Sequence, residues 1–116
     1  TYVAGYTYST DFPLASNPGN YYSDAFVAIY SETGTLLKSI LTGGTAFEKA
    51  GGIAVDSSGT VYLAGHTNSN NFPVVNAFQS TPGGVFSPEG FVTKIVDPLG
   101  LNTTLGYSSY LGGNSY

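Results

Sequence analysis

The sequence contains no cysteine, methionine or tryptophan, and its only cations are Lys38, Lys49 and Lys94. Without cysteine there is no disulfide framework and no thiolate metal site. Without arginine, and with seven acids bringing the net charge to −4, no cluster of cations exists to displace phosphate counterions, which excludes nucleic acid as a partner. A polybasic contact with anionic lipid fails for the same reason. One histidine leaves little general acid–base equipment. No apolar run reaches the ~18 residues of a membrane span, and no cationic, apolar leader opens the chain. The expectations are no membrane insertion, no metal, no cofactor and no enzymatic activity.

What is present points to strands. Hydrophobic residues make up 41% of 116 residues, enough for a core. Sixteen glycines and ten tyrosines, with many Ser and Thr, favour short strands joined by turns. Charged residues are only 9% and aromatics 15%, a balance that suits an extracellular or cell-surface protein. The sequence starts at Thr1, without an initiator Met, and a further Gly-Ile-Ala-Val-Asp-like strand is expected past Tyr116.

The organising stretch is Gly51 to Gly65. Two apolar runs flank Asp56-Ser57-Ser58-Gly59, in which Gly59 can take positive φ and Asp56 can accept backbone N–H bonds. This is a β-hairpin signal. Its second half recurs, because Thr1-Tyr2-Val3-Ala4-Gly5-Tyr6-Thr7 reads against Thr60-Val61-Tyr62-Leu63-Ala64-Gly65-His66-Thr67. Further matches follow in order. Asp11-Phe12-Pro13 pairs with Asn71-Phe72-Pro73, Asp24 to Tyr30 with Glu89 to Ile95, and Gly43-Gly44 with Gly112-Gly113. The offset grows from 60 at Tyr2/Tyr62 to 65 at Phe26/Phe91 and 69 at Gly43/Gly112. Growth of that kind puts insertions in loops and keeps the strands, as repeat architectures do.

One unit reads as strands A (Gly52 to Asp56), B (Val61 to Thr67), C (Phe91 to Val96) and D (Thr103 to Leu111), a propeller-type blade. The fold class is therefore all-β: two blades of antiparallel strands, the second four-stranded, the first lacking its own strand A. Residues 1–50 form the incomplete first repeat, with Thr45 to Ala50 as linker, and 51–116 the complete second. Val3, Phe26, Ile29, Ile53, Val55, Val61, Leu63, Phe91 and Ile95 are expected to pack between blades. Asp56, Gly59, Asp97 and Gly100 are expected to form strand turns.

Gly52-Ile-Ala-Val-Asp-Ser-Ser-Gly-Thr-Val-Tyr-Leu-Ala-Gly-His-Thr, then Asn-Phe-Pro, Gly-Phe-Val-Thr-Lys-Ile and Tyr-Ser-Ser-Tyr-Leu-Gly-Gly resemble the seven-bladed β-propeller repeat (SBBP) of large secreted bacterial and archaeal proteins. The resemblance covers essentially the whole chain as two permuted copies. It implies a secreted or surface β-propeller-like array and brings no catalytic motif. In the first copy Ile40-Leu41-Thr42-Gly43-Gly44 replaces the usual Tyr-Leu-Gly-Gly.

Individual candidates have plain structural readings. His66 is matched by Tyr6, so that position asks for an amphipathic ring. Asp11, Asp24, Asp56, Glu89 and Asp97 fall at turns or strand starts without the close spacing of a calcium loop. Asn102-Thr103-Thr104 is a sequon, making Asn102 the candidate glycosylation site. Tyr21, Tyr22, Tyr107, Tyr110, Phe78 and Phe86 offer either core packing or a sugar-stacking platform. Phe12-Pro13 and Phe72-Pro73 read as loop anchors, with Phe entering the gap between blades.

Two blades leave apolar faces bare at both ends, to be covered by adjacent repeats in cis or by further copies of the chain. A head-to-tail contact that does not close gives a filament. The expected function is a structural, self-associating extracellular repeat protein, of filament or surface-layer type. The alternative is a glycan- or surface-binding adhesin module.

Overall fold

A computed structural model describes residues 1–15, 22–82, 89–100 and 103–111. Those residues carry seven strands and no helix: β1 (Tyr2–Thr7), β2 (Asp24–Tyr30), β3 (Leu36–Thr42), β4 (Glu48–Val55), β5 (Val61–Thr67), β6 (Glu89–Val96) and β7 (Thr104–Leu111). They form a three-stranded sheet, β1-β2-β3, and a four-stranded sheet, β4-β5-β6-β7, antiparallel throughout. Neither sheet closes on itself. The two open sheets repeat one strand order, and among the described residues the first has no counterpart of β4.

Strand β4 begins at Glu48, inside the stretch expected to be a linker, so the second sheet opens three residues before Gly51. The reason is a non-local backbone contact. The Glu48 amide donates to the Ser23 carbonyl (2.8 Å) and the Ser23 hydroxyl donates to the Glu48 carbonyl (2.9 Å). A register shift between Ala50 and Gly52 then carries the strand on to pair with β5, as a bulge does.

The turns β2–β3, β4–β5 and β6–β7 are each held by their own first residue. Gly34, Gly59 and Gly100 donate to the carbonyls of Ser31, Asp56 and Asp97 at 3.0–3.1 Å. Gly59 has φ +84°, a conformation that a side chain would strain. Asp97 itself takes a positive φ of 54°, and its carboxylate lies against Gly100. Thr103 closes that turn by donating from Oγ1 to the Asp97 carbonyl (2.7 Å).

Period-2 alternation divides every strand between two faces. In the first sheet, cross-strand pairing places Tyr2, Ala4, Ala25, Val27, Ile29, Ile40 and Thr42 on one face, and Val3, Gly5, Phe26, Ala28, Ser39 and Leu41 on the other. In the second, Ile53, Val61, Leu63, Phe91, Thr93, Ile95 and Tyr110 share a face, opposite Tyr62, Ala64, His66, Val92 and Lys94. The core joins the first set to the third. Ala25, Val27 and Ile29 pack with Val61, Leu63, Phe72, Phe91, Ile95 and Tyr110, and with the partly buried Tyr2, Ala4, Ile40 and Ile53.

The Phe-Pro loops do the same task twice. Phe72 lies on Phe91 with ring centroids 4.4 Å apart, and Phe12 on Phe26 at 4.9 Å. Each loop then bridges to the last strand of its own sheet, Ala15 to Ser39 and Val75 to Ser108. Each loop thus covers the outer-strand end of its own sheet.

Equivalent positions should therefore differ in cost. Leu63→Ala, in the sheet-to-sheet core, should lose about 2–5 kcal/mol of stability, while Val3→Ala at the matching position should lose less than about 1 kcal/mol. Urea unfolding midpoints of the two variants check this.

Candidate functional site

Two kinds of feature stand out: a buried polar junction where the sheets meet, and the outer faces of both sheets. The junction is built around Glu48, fully buried at the start of β4. Its Oε2 accepts from Thr67 Oγ1 (2.5 Å) and from the Ser69 hydroxyl, and its Oε1 accepts the Gly44 amide (3.0 Å). Thr67 Oγ1 in turn accepts the Ser69 amide (2.9 Å). Buried Asp24, at the start of β2, also lies against Gly43. Gly65 on β5 lies so close to the Lys49 carbonyl and Ala50 Cα that a Cβ there would collide with β4. Backbone approach and hydrogen bonding together lock β4 to β5 and to the first sheet.

Tyr110 caps the same core. Its hydroxyl donates to the Ser69 carbonyl (2.8 Å) and accepts the Phe72 amide (3.1 Å). Burial pushes its hydroxyl above the ordinary phenol value; the Phe72 amide opposes this, and the carboxyls of Glu48 and Glu89 reinforce it. Tyr110 is fully buried, so it is core and not part of a sugar platform.

The outer faces show what a neighbouring sheet covers. Leu63 is 0% exposed and its equivalent Val3 is 41% exposed. Phe91, Phe72 and Thr67 are buried, whereas Phe26, Phe12 and Thr7 are half-buried. Val74 is half-buried and its equivalent Leu14 is 63% exposed. The opposite face class behaves alike. Ala25, Val27 and Ile29 are buried, and their equivalents Gly90, Val92 and Lys94 are half-buried.

The two outer faces differ in chemistry. That of the first sheet is apolar around Val3, Phe12, Leu14 and Phe26. That of the second is mixed, with Lys94 Nζ 5.9 Å from the Tyr62 ring centroid and the Tyr62 hydroxyl donating to Asp56 Oδ2 (3.2 Å). Apolar faces are expected at both ends of the pair of blades; the second sheet instead presents exposed Tyr62, Ala64 and His66.

Of the expected packing residues, Ile29, Val61, Leu63, Phe91 and Ile95 are buried, Phe26 and Ile53 are half-buried, and Val3 and Val55 lie exposed. Asp56 accepts the amides of Ser58 (2.9 Å) and Thr60 (3.0 Å) at Oδ1. Desolvation pushes its carboxyl up, but the amides of Thr60 and Ser58, the Tyr62 hydroxyl and the Lys94 charge together hold it below the ordinary carboxylate value. Asn102, Tyr21 and Phe86 lie outside the described residues.

Sequence reasoning missed an aromatic cluster. Tyr6, Tyr8, Phe47 and Tyr22 form a chain of edge-to-face contacts with centroids 6.3, 6.2 and 4.8 Å apart, and Lys49 Nζ sits 4.7 Å from the Tyr6 centroid. All four rings are exposed. They come from the end of β1 and from the approaches to β2 and β4, so only the assembled junction brings them together.

A cleft of about 280 Å³ runs between β3 and the β6–β7 side of the second sheet, lined by Ile40, Leu41, Ile95, Leu105 and Pro73 among others. Lys38 lines it too, and its Nζ donates to Thr103 Oγ1 (2.5 Å) and the Gly100 carbonyl (3.4 Å). Among the described residues, no group of three or more His, Asp or Glu side chains could hold a metal ion.

Glu48→Ala should leave two hydroxyls and one amide without their acceptor and cost about 3 kcal/mol or more; Glu48→Gln keeps one acceptor oxygen and should recover part of that in chemical denaturation. The Asp56 turn should respond to acid. Its folded carboxyl is depressed, so its contribution is present above the unfolded value of about 4 and is lost as pH falls through the folded value. The thermal midpoint of the wild type should drop more steeply below about pH 4 than that of Asp56→Asn, measured across a pH series.

Residues 49–73, from within β4 through β5 to the Phe-Pro turn, match the beta-propeller repeat family, SBBP. Comparison with curated proteins and with solved structures gives no match. The strand order around the matched segment, four antiparallel strands with a glycine-bearing turn between β4 and β5, is that of one blade. Residues 49–73 thus carry a match to the SBBP beta-propeller repeat, set within a four-stranded antiparallel sheet.

Proposed function

We propose that the chain is a non-enzymatic, extracellular structural module that self-associates through its outer blade faces. The observation that carries this reading is the pair Leu63 and Val3. They stand at the same place in the repeat, one sealed by a neighbouring sheet and the other 41% exposed. An apolar position that is sealed wherever a neighbour exists, and open where none does, is a contact surface with the neighbour removed. The mixed face of the second sheet supplies the other half of such a contact. Sparse charge and the secreted setting implied by the repeat family support an extracellular or cell-surface location.

A second reading is favoured by one observation. The exposed rings of Tyr6, Tyr8, Tyr22 and Phe47 form a platform beside Lys49, suited to stacking on a sugar ring. On that reading the chain is a glycan- or surface-binding adhesin module, and Tyr8→Ala should abolish retention on a polysaccharide column.

Sedimentation across a concentration series, with electron micrographs of the concentrated sample, tests the first reading. Growth of the sedimenting species with concentration is the expected result. A chain that stays monomeric up to about 1 mM, a contact worth less than about 4 kcal/mol, would overturn it.

A further inference from the structure

We propose that the partner of the exposed faces is a second copy of the chain bound head to tail, the outer face of the second sheet in one copy seated on the outer face of the first sheet in the next. This rests on the self-association reading and adds to it the polarity of the contact and the residues at its centre.

The argument comes from the contact already present within the chain. There the Ala4–Val27 face of one sheet lies on the Leu63–Phe91 face of the next. Repeat equivalence turns that pair of faces into the two that remain. Ala64 and Val92 stand where Ala4 and Val27 stand, and Val3 and Phe26 stand where Leu63 and Phe91 stand. The free faces are thus one of each kind that the internal contact joins, and they lie on opposite ends of the two-sheet stack. The joint continues an interface that the fold already makes.

A face of one kind does not match itself in that geometry, so the contact is heterologous. Each copy then keeps one free face at each end, and addition goes on. The inter-chain joint is also weaker than the internal one. Lys94 stands where Ile29 does, and Gly90 where Ala25 does, which removes apolar area. Among the described residues the first sheet also has no counterpart of β4, so nothing described there repeats the contribution that Ile53 makes within the chain. Assembly is expected to be reversible on dilution.

Complementation tests the polarity. Val3→Glu blocks the receiving face only, and Ala64→Glu blocks the inserting face only; both positions are exposed in the free chain. Each variant alone should show self-association at least about 100-fold weaker than wild type, because the joint would bury an unpaired carboxylate. Mixed in equal amounts, the two should sediment as a dimer that grows no further, since each retains the face that the other lost. Circular dichroism and thermal unfolding establish that both variants fold; Leu14→Glu and His66→Glu replace either that does not. If wild type assembles but the mixture stays monomeric, or if either variant alone assembles like wild type, the head-to-tail assignment is overturned. A wild-type chain that never assembles overturns the self-association reading itself.

Discussion

The molecule depends on one contact: the apolar face of β1–β2 laid on the opposite kind of face of β4–β5–β6. A three-stranded antiparallel sheet is barely stable unless one face is packed against something else. Here Ala25, Val27 and Ile29 gain that cover from Val61, Leu63 and Ile95, and the second sheet gains the same in return. Because the two faces are of different kinds, the relation between sheets is a step along an axis and not a two-fold pairing. A step has two ends. Val3 and Ala64 lie on the two faces that this contact does not cover.

Apolar burial is non-directional and would tolerate sliding or rotation of one sheet over the other. The polar junction removes that freedom. Ser23, just before β2, exchanges two hydrogen bonds with Glu48, and the Glu48 carboxyl gathers Gly44, Thr67 and Ser69. A buried network of this sort is costly when incomplete and specific when complete. It places β4 relative to both sheets at once, and Gly65 lets the backbones close to the required distance. Tyr110, tied to Ser69 and the Phe72 amide, extends the same network to the Phe-Pro loop.

Local chemistry made much of the fold legible. β2 and β5 have the limits that their apolar runs suggest, and the Asp56-to-Gly59 turn forms through the bonds that Asp and Gly favour there. The strand order followed from the repeat. What escaped depends on distant groups. Glu48-Lys49-Ala50 has no strand signature of its own, and its pairing is imposed by Ser23 and Thr67. Tyr110 looks like any surface tyrosine until Ser69 and Phe72 take its hydroxyl. Tyr6, Tyr8, Tyr22 and Phe47 are scattered along the chain and meet only at the junction. Nor does any local pattern separate Val3 from Leu63, since the two occupy the same motif and differ only in what lies above them.

The composition of the second sheet's outer face differs from that of the buried face equivalent to it. A face as apolar as Ala25, Val27 and Ile29, left uncovered on a free molecule, would invite unspecific aggregation. Lys94 and Tyr62 change that. Their aliphatic stem and ring carry apolar area, while the ammonium and hydroxyl remain wet, so the same side chains suit water on a free copy and packing in a joint. Asp56 anchors the Tyr62 hydroxyl at the rim of that face, which holds the ring in one orientation and would lower the ordering cost of a contact made there. The two uncovered faces thus differ: that of the second sheet is amphipathic at Tyr62 and Lys94, and that of the first stays apolar at Val3 and Leu14.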